Sequence, residues 1–169
     1  MGFYLGDYIL KLHLGFESLP YTMKSSRTRA VVGKGARIAK GYGEGKTSAD
    51  VAKELEEKYN LVETFWGPIE DQVVELIEEA YIADIEAVLM EQKPPKKKAF
   101  GDKLTKKIEE AFRRYLDKEE HGIKTTAAAR GVSHLLPQPY SRKNPPRESF
   151  IDTGLYRASF RAWLEEEDE

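Results

Sequence analysis

The sequence predicts an α+β fold: a small, mostly antiparallel sheet packed against two long helices, with long extended loops. Three observations carry that expectation. Segments near the two ends of the chain alternate apolar and polar residues with the period of a strand. Two central segments, 67–92 and 103–120, repeat apolar residues with the period of a helix. Two other stretches, 33–46 and 122–146, lack an apolar period and are rich in glycine, proline or basic residues.

Near the start, Leu10, Leu12 and Leu14 fall on one side and Lys11 and His13 on the other, so a strand within Phe3–Phe16 ending at Gly15 is expected. Phe16-Glu-Ser-Leu-Pro20 reads as a turn, and Arg29-Ala-Val-Val-Gly33 as a second strand. The glycines and lysines of 33–46 predict a mobile loop or hairpin arm. Thr47 and Ser48 offer an N-cap, Asp50 suits the positive end of a helix dipole, and Val51, Leu55 and Tyr59 recur at helical spacing up to Asn60. Leu61, Val62, Phe65 and Trp66 then read as an apolar link.

Gly67-Pro68 marks the expected start of the first long helix, with proline in its first turn. Its apolar face comprises Ile69, Val73, Leu76, Ile77, Ala80, Val88 and Leu89, interrupted by Asp84. Pro94-Pro95 stops it, and Lys96-Lys-Lys98 follows as a soluble linker. The second long helix is expected over Lys103–Glu120, capped by Asp102 and stopped by Gly122. Leu104, Ile108, Ala111, Phe112 and Tyr115 form its buried face, and His121 favours its negative end. The irregular segment 122–146 reads as an arm, poorly ordered in the free protein.

With 169 residues, 40% of them hydrophobic, the chain can bury one core and is short for two, so a single domain over 1–169 is expected. A charged fraction of 33% and a mean hydropathy of -0.59 imply wide solvated or charge-paired surfaces. The absence of cysteine excludes disulfide frameworks, thiol nucleophiles and zinc–thiolate sites. No run approaches the ~20 apolar residues of a membrane span, so a soluble protein made in the cytoplasm is the expectation. Net charge is -2 but unevenly spread. Segments 24–46 and 93–118 are basic, 68–91 is acidic with no lysine or arginine, and 165–169 is a wholly acidic tail. Such blocks suit nucleic acid, or basic and acidic faces that meet between copies of one protein.

Chemistry is sparsely signalled. Gly43-Glu-Gly-Lys-Thr47 ends like a phosphate-binding loop, but the position where that loop needs its first glycine is Lys40, and no apolar strand leads in. His13, His121 and His134 lack metal-ligand spacing, and Ser149 and Ser159 have no identifiable base. No catalytic, cofactor or metal site is expected, and enzymatic activity is not. Arg130, Tyr140, Arg142, Lys143 and Arg147 are better placed for contacts, either with a phosphate backbone or with an acidic protein partner.

The closing stretch is the most specific. After Asn144-Pro145-Pro146 comes Arg147-Glu-Ser-Phe-Ile-Asp-Thr-Gly-Leu-Tyr-Arg-Ala-Ser-Phe-Arg161. Phe150 and Ile151 form an apolar anchor, Asp152 and Thr153 can accept backbone N–H bonds, and Gly154 permits a tight turn. Leu155–Ala158 fits one helical turn holding Tyr156, after which Phe160, Ala162 and Leu164 alternate as in a strand. Asp152 and Thr153 are therefore expected to cap the turn at Gly154, with Phe150, Ile151, Leu155 and Phe160 buried.

A proline-rich basic loop followed by Phe150-Ile-Asp-Thr-Gly-Leu-Tyr-Arg-Ala-Ser-Phe-Arg161 resembles the closing segment of tail-completion proteins of tailed bacteriophages, also called head–tail joining or virion-morphogenesis proteins. The likeness is tight over Ser149–Arg161 and looser over Gly67–His121. It is only general in character before that. The turn many members carry ahead of the first long helix is replaced here by Thr64-Phe65-Trp66-Gly67. The resemblance implies a structural protein of the virion, made in the host cytoplasm. Several copies, six or a multiple of six, would ring the neck between the connector or portal side and the tail tube, around a channel for DNA. Two other roles remain open: a terminator capping the tail tube, and an accessory protein that binds nucleic acid without sequence preference.

Overall fold

The computed structural model describes residues 2–5, 8–22, 26–33, 45–90 and 97–167. Three strands, β1 (Gly2–Leu5), β2 (Tyr8–Phe16) and β3 (Phe160–Glu167), frame six helices. The helices are α1 (Ser26–Val32), α2 (Ser48–Tyr59), α3 (Leu61–Leu89), α4 (Lys97–Asp117), α5 (Thr126–Ala129) and α6 (Leu155–Ser159). The fold is α+β with a small sheet, as expected, in the order β1-β2-β3. β1 and β2 run antiparallel, Phe3 opposite Leu10 and Tyr4 opposite Ile9, so the single N-terminal strand of the sequence reading is a hairpin.

The chain divides into two compact units, each drawn from separated segments. The first comprises 1–15, 63–111 and 161–169. Its buried apolar residues include Leu12, Phe65, Ile69, Val73, Leu104, Ile108 and Ala162. The His13 ring stacks on Trp163 at 5.4 Å, and Gly15 leaves room for that indole, since a Cβ there would lie 3.1 Å from it. Glu109 of α4 accepts the Ala162 N–H of β3 at 3.4 Å. The acidic run starting at Glu165 is a strand through Glu167 rather than a free tail.

The second unit comprises 16–62 and 112–160. Its centre is aromatic. Phe112 and Phe160, both fully buried, stack at 4.0 Å, and Phe16 meets Tyr156 face to face at 4.8 Å. A second cluster joins Leu19, Tyr21 and Leu155 to Val31, Val32 and Val51. Ser48 ties this unit's first segment together: its Oγ donates to Glu17 O at 2.6 Å and accepts from Leu19 N at 2.9 Å.

Several expectations change at the element boundaries. Of the expected strand Arg29–Gly33, residues Arg29–Val32 belong to a helix, because Thr28, Val31 and Val32 face inward at helical spacing and the Thr28 hydroxyl donates to Pro20 O at 2.7 Å. Gly33, with φ 101°, closes it. α2 matches its prediction: Thr47 and Asp50 form a reciprocal capping box, and Asn60 ends the helix in the left-handed region at φ 52°.

The apolar link 61–66 is already helical, and Gly67-Pro68 lies inside α3 instead of starting it. Left-handed Asn60 turns the chain, Glu56 accepts the Val62 N–H at 2.9 Å, and Leu61, Phe65, Ile69 and Val73 then make one buried stripe. Leu89, expected on the apolar face with Ile69 and Val73, is 78% exposed. α4 starts at Lys97, so Asp102 is an interior residue, and it ends at Asp117. Residues 34–44, which include Lys40 and Gly43, lie outside the described residues, as do 91–96 with the Pro94-Pro95 stop.

Candidate functional site

The site is the segment from the end of α4 to the start of α6, all within the second unit. It begins where α4 stops. Glu120 N–H reaches back to Tyr115 O at 3.0 Å while Glu119 adopts φ 50°, a left-handed ending made by a glutamate and not by the expected Gly122. Glu119 repays that strain with its side chain. Oε1 accepts the Ser149 N–H at 2.9 Å, and the Lys124 ammonium donates to Oε2 at 2.9 Å. The Ser149 N–H, then Lys124, hold this carboxyl down at about 2.

His121 is buried, and its Nδ1 accepts the Ile123 N–H at 3.0 Å. Desolvation lowers its pKa, so the ring favours the neutral form; it tightens the turn instead of serving as a cation at the helix end. Gly122 follows with φ 66°.

The arm itself, 122–146, is not an extended loop. It holds α5, capped by the Thr125 hydroxyl, and a run of hydrogen-bonded turns. Arg147 binds it from within: Nε donates to Val132 O at 2.6 Å, and Nη1 to Glu148 O and Ile151 O, each at 2.9 Å. The Arg147 N–H donates to Ala128 O at 3.1 Å. Asn144 Nδ2 donates to Gln138 O and Pro139 O. Gly131, at φ 64°, lies against Asn144 and Pro145 so closely that a Cβ would stand 2.3 Å from Pro145 O. Of the five residues expected to reach outward, Arg147 is therefore an internal latch.

Asp152 also differs from expectation. Its Oδ1 accepts the His134 N–H at 3.0 Å, and its Oδ2 lies 2.5 Å from His134 Nδ1. His134 Nε2 in turn lies 3.2 Å from the Tyr140 hydroxyl, with the rings edge to face. Asp152 thus fastens the arm, and α6 begins at Gly154 without a side-chain cap. Thr153 does work locally, accepting the Leu155 N–H at 3.3 Å. Leu155, Tyr156 and Phe160 are buried, while Phe150, at φ 65°, and Ile151 are half-buried. Phe150 packs edge-on against Tyr59 and His121.

What remains outside is a lip. Tyr140 is 71% exposed, Leu136, four residues before it, is exposed, and Arg130, Arg142 and Lys143 are exposed. Gly131, the residue after Arg130, packs on the backbone of Asn144 and Pro145. No acidic residue occurs between Glu120 and Glu148. The chain of contacts Asp152–His134–Tyr140 positions the phenol, with Asp152 on Nδ1 and the Tyr140 hydroxyl on Nε2 of the same ring. The arrangement presents an oriented aromatic ring among cations, suited to docking.

Beneath the arm, Tyr21, Tyr59, Phe150 and Tyr156 line part of a cleft of about 240 Å³. Among the described residues, no group of His, Cys, Asp or Glu is placed to hold a metal ion, and no helix is long and apolar enough to cross a membrane. The His134–Asp152 pairing was hidden in the sequence, because the two residues are far apart and follow no period. Compared with family models, curated proteins and solved structures, the chain matches none.

Proposed function

We propose that this chain is a structural protein of the neck of a tailed bacteriophage, forming a ring that completes the tail and joins it to the head connector. The observation that carries the reading is the segment Ser149–Arg161, whose sequence resembles the closing segment of tail-completion proteins. The local geometry is compatible with such a role. Asp152 and Arg147 spend their polar groups on presetting a basic lip, and a preset lip loses little conformational entropy on docking. The unlike charge blocks supply the complementary faces that a closing, head-to-tail ring needs. DNA would pass through the channel, and connector-side and tail-tube-side proteins would bind the two rims.

Removal of the coding sequence from the phage tests this. Filled heads and finished tails should accumulate unjoined, and supplying the protein in trans should restore joining. Infectious, joined particles in its absence would sink the reading. A second reading, binding of nucleic acid without sequence preference, is favoured by exposed Tyr140 among Arg130, Arg142 and Lys143. Salt-sensitive binding of single-stranded DNA, lost in an Arg142→Glu/Lys143→Glu protein that still joins heads to tails, would support it.

A further inference from the structure

α3 buries one face through Leu61, Phe65, Ile69 and Val73. On the opposite face, by helical spacing, its last turns carry Ile82, Ile85 and Leu89, which are 55%, 46% and 78% exposed. Three large aliphatic side chains clustered on the outer face of one helix form a contiguous apolar patch, unlike the scattered single residues of an ordinary surface. Glu75, Glu78, Glu79 and Glu86, all exposed, lie on and beside the same face. No lysine or arginine occurs from Pro68 to Gln92. The patch is apolar at its centre with an acidic rim.

The lip described above has the reciprocal character. Leu136 and Tyr140 supply exposed apolar surface, Arg130, Arg142 and Lys143 are exposed on the same segment, and residues 121–147 contain no acid. None of these three cations forms an ion pair among the described residues. We infer that the occupant of the α3 patch is a second copy of this chain, which seats its Tyr140 lip on Ile82, Ile85 and Leu89. Charge complementarity argues for this partner: two α3 patches would set acid against acid, and two lips cation against cation, whereas patch against lip matches both the rim and the centre. Unlike faces on one chain make the contact heterologous, so it repeats from copy to copy. The inference deepens the ring reading and rests on it for closure; pairing of the two faces stands or falls separately.

Charge reversal in trans tests it on the full chain. Glu78→Lys/Glu86→Lys reverses the patch, Arg142→Glu/Lys143→Glu reverses the lip, and both alter only exposed side chains. Sedimentation velocity of the wild type should show concentration-dependent association that weakens as salt rises. Each reversed variant alone should associate at least about tenfold more weakly. An equimolar mixture of the two should recover association, because a reversed patch then meets a reversed lip and a native patch a native lip. Ile82→Ser/Leu89→Ser should weaken association with its salt dependence unchanged, and melting curves check that each variant is folded.

A wild type that stays monomeric at every concentration would overturn the inference. So would variants that associate like wild type, or a mixture no better than its parts. Loss of DNA binding by the lip variant with association intact would assign the lip to nucleic acid and equally overturn it. Failure of face pairing in a protein still required for joining heads to tails would remove this inference and leave the neck role. Pairing in a protein dispensable for joining would do the reverse.

Discussion

Glu119 accepts the backbone N–H of Ser149 at 2.9 Å from a left-handed position just past the end of α4. The backbone of this residue turns the chain out of α4, while its carboxylate pairs with Lys124 and holds the start of the closing segment. The backbone bond and the ammonium favour the charged form, which is why the carboxyl sits at about 2 and not at its ordinary 4.5. A depressed folded-state value means that the stabilisation is complete above pH 4.5 and drains away as pH falls towards 2. A carbon-13 NMR titration should place this carboxyl well below the others. Glu119→Gln should be less stable near neutrality and should lose this part of the acid sensitivity.

Gly131 is expected to be irreplaceable in the arm. Its φ of 64° disfavours a side chain, and an added Cβ would meet Pro145 O at 2.3 Å and Asn144 O at 2.6 Å, both backbone atoms that cannot rotate away. Gly131→Ala should cost about 1–2 kcal/mol from the backbone conformation alone, with the clash in addition. Hydrogen exchange should show the Arg147 N–H, bonded to Ala128 O, losing protection. Unchanged protection would contradict the placement of this glycine.

Phe160 and Asp152 separate core from fastening. Phe160 is fully buried against Phe112 and Phe16, so Phe160→Ala should destabilise the protein by about 3–5 kcal/mol. Asp152→Ala removes the two contacts to His134 and should cost about 1–3 kcal/mol. It should also free the Tyr140 ring, visible as narrowed ring resonances, which Phe160→Ala would not do selectively. Denaturant unfolding of both proteins checks the ranking, and equal losses would contradict it.

The closing segment was legible where packing decides and illegible where hydrogen bonding does. Alternation of Phe160, Ala162 and Leu164 announced β3, and Leu155 followed from its place after a glycine turn. The sequence puts Asp152 at the turn but does not reveal its partner, because His134 belongs to a loop whose path no local pattern encodes. Arg147 looked like a surface cation, yet three carbonyls converge on it. The start of α3 was missed for a local reason: Gly67-Pro68 is a strong start signal, but burial of Leu61 and Phe65 outweighed it.

Tyr156 offers a test in the stabilising direction. Its ring is buried between Phe16 and Phe112, and its hydroxyl is buried without a hydrogen-bond partner among the described residues. Desolvation raises its pKa far above the ordinary phenol value. Tyr156→Phe keeps the packing and removes the stranded group, so it should leave stability unchanged or raise it by up to about 1–3 kcal/mol. A clear loss in thermal unfolding would show that the hydroxyl is bonded after all.

The proposed neck role is tested most directly by an electron cryomicroscopy reconstruction of the head–tail junction of intact particles. The account predicts a closed ring of copies of this chain between the connector and the tail tube, with Ile82 and Leu89 of each copy against Tyr140 of the next. A junction fully built from other chains, with no density for this one, would contradict it.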